Sequence, residues 1–252
     1  MINRMALLAL LLLTASFAAA SNNLYFAHLK YSGGNWDPEP FAWSEICDFL
    51  VNTTNIRAVK EPVAVTLRGK EIYKYPVIVV TGDSGFEEWS SAETETLKRY
   101  FDGGGICIID DSTGLNNSAF QKSITREFEK VFPGAGFTRV KESSALFFSF
   151  YLKPGVYGSR QSVPYLSGIE RNNQLAVIFS HNDLFGIWEK DKLGNWFKDC
   201  VPGGEFQRFE AMKLTVNIFM YALTGTYKLD AIHTEYIKKK LEQLNLKYEE
   251  KK

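Results

Sequence analysis

The sequence predicts an α/β fold, a three-layer sandwich with a mainly parallel central sheet. Three observations carry this. The runs Val77-Ile78-Val79-Val80, Ile106-Cys107-Ile108-Ile109 and Leu175-Ala176-Val177-Ile178-Phe179 are short and continuously apolar, as strands covered on both faces are. Each stops at a polar segment: Thr81-Gly82-Asp83, Asp110-Asp111 or His181-Asn182-Asp183. Stretches with helical apolar spacing lie between the runs, which calls for crossover connections.

The elements follow in order. Arg4, the apolar run Met5 to Leu13 and the small residues Ala18-Ala19-Ala20 have the pattern of an export signal. The run is shorter than the roughly 20 apolar residues of a spanning helix. Cleavage near Ala20 and a periplasmic or secreted mature chain are expected, with no integral membrane segment in that mature chain.

Leu24 to Tyr31 predicts a strand ending at Gly33-Gly34, and Asn35 to Pro40 a loop. A helix follows to about Val51, with Trp43, Ile46, Cys47 and Leu50 as its apolar stripe. Val63 to Leu67 predicts a minor strand. After Val77 to Val80, Ser90 and Glu93 have capping-box spacing, and Gly103-Gly104-Gly105 ends that helix. Ser118 caps a helix through Phe128 and Val131, stopped by Pro133-Gly134. The mixed stretch 137–174 is expected to lie outside the main sheet. A long helix over 205–223 carries Phe209, Met212, Val216, Phe219 and Met220. The domain is thus expected over 21–225, with a charged helical extension over 226–252.

Twenty-nine basic and 29 acidic side chains cancel, so no global field draws the chain to nucleic acid. Cys47, Cys107 and Cys200 form no C-x-x-C pair, which removes a dithiol or cysteine-rich metal site. Cys107 is expected as a small buried hydrophobe. A Cys47–Cys200 disulfide is permitted by export, but no spacing argues for it. The chain has no G-x-G-x-x-G, P-loop, G-x-S-x-G or H-E-x-x-H pattern, so no cofactor is predicted.

Chemistry is expected at the strand ends, where α/β sheets hold ligands. Asp83, Asp110 and His181 are the candidate catalytic set; carboxylates with an imidazole bind a divalent cation, orient water or move protons. Asp111 points away from Asp110 in an extended segment. Asp111, Asn182 and Asp183 are candidate ligand contacts, with turn formation as the alternative. The loop Tyr31-Ser32-Gly33-Gly34-Asn35-Trp36-Asp37 offers glycine backbone to an anion and the Tyr31 and Trp36 rings to an apolar ligand face. Gly33, Gly34 and Asp37 belong to that candidate site. Arg126 clamps an anion or pairs with a neighbouring glutamate; Trp188 closes the crevice or fills the loop core.

Several of these segments, in this order, resemble the DUF4159 family. They are Leu29-Lys30-Tyr31-Ser32-Gly33-Gly34-Asn35-Trp36-Asp37, Tyr75-Pro76, Thr81-Gly82, Leu97-Lys98-Arg99-Tyr100-Phe101-Asp102-Gly103-Gly104-Gly105 and Ile109-Asp110-Asp111. Phe120, Arg126-Glu127, Phe132-Pro133, Phe150-Tyr151, Asn182-Asp183-Leu184 and Trp188 continue the pattern, so that the resemblance spans about residues 22 to 225. It implies a flavodoxin-like or class I glutamine-amidotransferase-like α/β fold and no settled reaction. The expected function is noncatalytic ligand binding or protein assembly in the cell envelope, with an envelope protein, peptide or glycan as partner. The alternatives are a hydrolase or transferase acting on an envelope glycan or peptide, and a structural scaffold.

Overall fold

The computed structural model describes residues 23–224; the expected signal segment and the 226–252 extension lie outside the described residues. Among the described residues, nine strands and four α-helices follow in chain order: β1 (Asn23–Leu24), β2 (Ala27–Leu29), α1 (Ala42–Thr53), β3 (Arg57–Ala58), β4 (Val63–Val65), β5 (Val77–Gly82), α2 (Ser91–Asp102), β6 (Ile106–Asp111), α3 (Ala119–Val131), β7 (Thr138–Arg139), β8 (Ser167–Arg171), β9 (Gln174–Ser180) and α4 (residues 204–224). Among the described residues no helix is long and apolar enough to cross a membrane.

The main sheet has seven strands in the order β4-β2-β5-β6-β9-β8-β7. The first five run parallel, in register from Ala27 beside Ile78 through Ile78 beside Cys107 to Cys107 beside Val177. Side chains alternate between two cores, as period-2 geometry requires. Val77, Val79, Ile106, Ile108 and Ile178 face α1 and α4, where Trp43, Ile46, Leu50, Leu214 and Phe219 meet them. Ile78, Val80, Cys107, Ile109, Val177 and Phe179 face α2 and α3, where Leu97, Phe101, Ile124 and Phe128 meet them. Fully burying one such side chain contributes about 1.5–3 kcal/mol, so both faces of these strands favour the same layered arrangement.

The helix boundaries follow local chemistry. Ser90 and Glu93 form the reciprocal capping box of α2, and Ser118 caps α3 by accepting from the Gln121 N–H. The expectation for 137–174 is corrected. β7 and β8 join the main sheet as an antiparallel edge, with β8 paired to β9. Asn172 and Asn173 both have positive φ, 51° and 62°, which suits the tight hairpin between these strands. Phe209 is also corrected. It is 54% exposed, while Ala211, Leu214 and Ile218 carry the buried face of α4. All three cysteines are buried free thiols.

Candidate functional site at the carboxyl edge

The chain leaves β2 into α1 on one face of the sheet and leaves β5 into α2 on the other. From β2 it moves outward to β4; from β5 it moves the opposite way to β6. The carboxyl ends of β2 and β5 are therefore a topological switch point, the place where loops part and leave a crevice.

The two loops at that point are stitched together. The Tyr31 hydroxyl lies 2.7 Å from the Thr81 carbonyl oxygen and 2.9 Å from that of Asn35. Asn35 Nδ2 donates to Asp83 Oδ2 at 2.8 Å, and the Asn35 N–H donates to Ser84 Oγ at 3.2 Å. Gly33 has φ +81°, and a Cβ there would sit 2.8 Å from the Glu87 backbone nitrogen. Tyr31 is buried against Phe86, so its ring holds the loop, whereas Trp36 and Asp37 remain partly exposed.

Beneath this loop lies His28 of β2, 1% exposed. The Thr81 hydroxyl donates to the Trp36 carbonyl at 3.0 Å, so its oxygen accepts from His28 Nε2 at 2.8 Å. The ring is neutral: burial pulls its pKa down to about 3 against the nearby Trp36 carbonyl. With the proton on Nε2, Nδ1 is a bare acceptor. It has no hydrogen-bond partner and faces Asp37 Oδ1, also unpartnered, at 3.6 Å. Trp36 and Trp43 pack edge-on against the imidazole at 5.1 and 5.0 Å between centroids. Burial raises the Asp37 pKa; the Trp43 indole opposes this without completing a hydrogen bond of normal geometry.

A second polar group adjoins it through Glu39. Lys198 Nζ lies 2.8 Å from Glu39 Oε1 and 3.1 and 3.0 Å from the two Asp183 oxygens. Ser112 donates to Glu39 and Ser159 to Asp183. Both carboxylates are nearly fully buried. Burial first, then each other's proximity, raises Glu39 well above the usual range; burial also raises Asp183, against the pull of Lys198. Burial lowers Lys198, but the two carboxylates outweigh that and hold it above its ordinary value.

Asp110 and Asp111 point to opposite faces, as expected. Asp110 accepts from the N–H groups of Leu184 and Phe185 at 2.9 and 2.8 Å. Burial, with Asp183 adding to it, pushes Asp110 up to about 7 despite those bonds. Asp111 accepts from Thr113, Ser118 and Gln121, which shapes the entry to α3. His181 Nε2 sits 2.8 Å from Ser167 Oγ, and its ring packs 4.2 Å from Phe179. It lines a separate cavity of about 360 Å³ with Gln121, Lys122 and Phe137. No hydrogen bond or ion pair among the described residues joins Asp83, Asp110 and His181 to one another.

The profile described as "Domain of unknown function (DUF4159)" matches residues 25–223. The chain belongs to the DUF4159 family. No curated protein matches it. Among solved structures, α-L-fucosidase isoenzyme 2 from Paenibacillus thiaminolyticus is similar at 12% identity and a TM-score of 0.26, over 73% of this chain and 28% of the fucosidase. The chain thus spans just over a quarter of that enzyme's length, and a likeness this slight carries no argument about fold or activity.

In this DUF4159 domain, the remaining candidates have structural partners. Asn182 accepts from the Ser162 and Val163 N–H groups and donates to the Val163 carbonyl, anchoring the loop before β8. Arg126 pairs with buried Glu127 at 2.6 Å and donates to the Phe86 carbonyl. Trp188 is 1% exposed and donates to Thr215 of α4, so it fills the core. Sequence reasoning placed Trp43 on an apolar helix stripe and named none of His28, Glu39, Trp43 and Lys198 as a site residue. The flanking prolines of Pro38-Glu39-Pro40 were a signal for Glu39, since they restrict the loop that carries it; Lys198 had none. Among the described residues, no group of three or more His, Cys, Asp or Glu side chains is arranged to hold a metal ion.

Proposed function

We propose that this DUF4159 domain binds a small polar ligand in the cell envelope without turning it over, at the switch-point cleft between β2 and β5. One observation carries the reading. His28 Nδ1 and Asp37 Oδ1, both buried and both unpartnered, face each other under a partly exposed loop. Buried polar atoms are ordinarily satisfied by protein or water, and these two, with the equally unpartnered Trp43 N–H beside Asp37, are polar capacity at the switch point that the fold itself does not use up. The export pattern of residues 1–20 supports the envelope as the compartment.

The test is calorimetric unfolding of the full chain with envelope glycan fragments and short peptides. A ligand at 100 times its Kd adds about 2.7 kcal/mol to stability. A saturable rise that Asp37→Ala removes, with the ligand recovered unchanged, supports the reading. No rise with any glycan or peptide refutes it.

A second reading, a hydrolase or transferase acting on those glycans or peptides, is favoured by one observation. Glu39 and Asp183, both raised by burial, hold Lys198 between them, and Asp110, raised to about 7, senses the Asp183 charge; perturbed acids of this kind are suited to proton transfer. Product formation lost in Asp183→Asn would select it over binding alone.

A further inference from the structure

We propose that the cavity between α3 and the carboxyl end of β9 is a second binding site, which takes a small organic carboxylate with an apolar body. It goes beyond the switch-point reading and stands apart from it, since neither His28 nor Asp37 lines this cavity.

The space is built from two elements. The cavity holds about 360 Å³. Gln121, Lys122 and Thr125 form one wall, and their three- and four-residue spacings put them on one face of α3. Phe179 and His181, two positions apart, form the other wall from the same face of the sheet. Phe137, half-buried, adds an apolar surface with its ring 5.4 Å from that of Phe179.

His181 brings an open polar edge to this space. Ser167 Oγ takes Nε2 at 2.8 Å. Nδ1 bonds to no described residue, and it is not sealed either. The polar side-chain atoms buried without a partner are His28 Nδ1, Asp37 Oδ1, Trp43 Nε1 and Trp89 Nε1. Nδ1 is thus the ring edge left to a ligand. The Ser167 hydroxyl donates to Nε2 of a neutral ring and accepts from Nε2 of a charged one. It therefore lets Nδ1 carry a proton in both states, and an N–H facing the cavity calls for an acceptor.

Charge decides which acceptor. Lys122 and His181 are the titratable side chains on the walls, and no acid lines them. Lys130 of the same helix pairs with Glu88 and Glu127, whereas exposed Lys122 forms no ion pair among the described residues. The carboxylate that acts on His181 is Asp111, fully buried and already accepting four hydrogen bonds from Thr113, Ser118 and Gln121. Arg139 lies over the Tyr165 ring, which packs 6.1 Å from the imidazole, and adds positive charge on the far side. A carboxylate answers Nδ1–H and Lys122 together, and its apolar body covers Phe137. A neutral amide lacks the charge, and a bare phosphate lacks the apolar body.

The experiment follows the His181 ring protons by NMR in the full chain, assigned with His181→Gln, as benzoate, benzamide or inorganic phosphate is added. Benzoate is expected to shift them saturably in the millimolar range, as suits so few atoms. Benzamide and phosphate are each expected to bind about tenfold more weakly or worse. Burial lowers the His181 pKa, and Asp111 opposes this. A bound carboxylate raises it by about one unit, so benzoate binds about tenfold tighter below that pKa than above it, while benzoate itself stays ionised. Lys122→Gln, at an exposed position, is expected to weaken benzoate about tenfold with the unfolding temperature retained, and Lys122→Arg to keep the binding.

Equal responses to benzoate and benzamide would overturn the proposal. So would a benzoate response that survives Lys122→Gln unchanged, or His181 resonances that ignore benzoate. The switch-point reading is decided separately, by Asp37→Ala with glycans and peptides.

Discussion

Lys198 is where a single substitution tests the electrostatics of the carboxyl edge most directly. Lys198→Met keeps the aliphatic stem and removes the ammonium that lies within 3.1 Å of three carboxylate oxygens. Breaking a fully buried ion pair costs about 3–5 kcal/mol. The Lys198 side chain is 29% exposed, so water replaces part of what the carboxylates lose. A loss of about 2–3 kcal/mol at neutral pH is the expected result. The pH dependence separates this cause from lost packing. Glu39 and Asp183 both have raised pKa values in the folded protein, so the native state holds protons that the unfolded chain releases. Their contribution is complete below the unfolded carboxylate range and is lost as pH rises through the folded values. Without Lys198 those values rise further, and the variant loses stability with pH more steeply than the parent. Urea unfolding at about pH 5 and about pH 8 reads the difference. The gap is expected to be wider at the higher pH, and Glu39→Gln in the variant background to restore part of the loss there. An equal gap at both pH values, or a wider one at the lower, would refute the argument.

Asp110→Asn replaces a carboxylate oxygen facing a backbone N–H with an amide donor, and is expected to cost about 1–3 kcal/mol in urea unfolding. Because Asp110 is raised to about 7, the parent's stability from this group falls as pH rises from the unfolded carboxylate range through about 7, and the variant lacks that fall. Gly82→Ala would place a Cβ 2.3 Å from the Tyr31 hydroxyl and 2.4 Å from the Phe120 ring, for an expected loss of about 1–3 kcal/mol in thermal unfolding. Ser90→Ala removes the capping box of α2 and is expected to cost about 1 kcal/mol, with hydrogen exchange accelerated in the first turn of that helix.

The layered fold was legible because its signals are local. Apolar runs at 77–80 and 106–109, the Ser90–Glu93 spacing and the Gly103-Gly104-Gly105 stop each report a backbone preference that a few neighbouring residues decide. Where a local signal was weak, the expectation failed. β7 and β8 span two and five residues, and their pairing is supplied by β9 and the Asn172-Asn173 turn. Of the loop at 31–37, the sequence identified the residues but not their roles. Tyr31 turned inward as a latch, while Trp36 and Asp37 stayed at the cleft.

The sequence by itself determined the helices and the strong central strands, that those strands are covered on both faces, and that polar residues gather at their carboxyl ends. Only the tertiary structure decided which of those polar residues meet. His28 meets Thr81 across 53 positions, and Glu39 meets Lys198 across 159. Asp110 and His181, both strand-end residues, take separate partners. The physical reason is range: periodicity and capping act over one or two turns of chain, whereas a buried hydrogen bond depends on strand order and on which face each crossover takes.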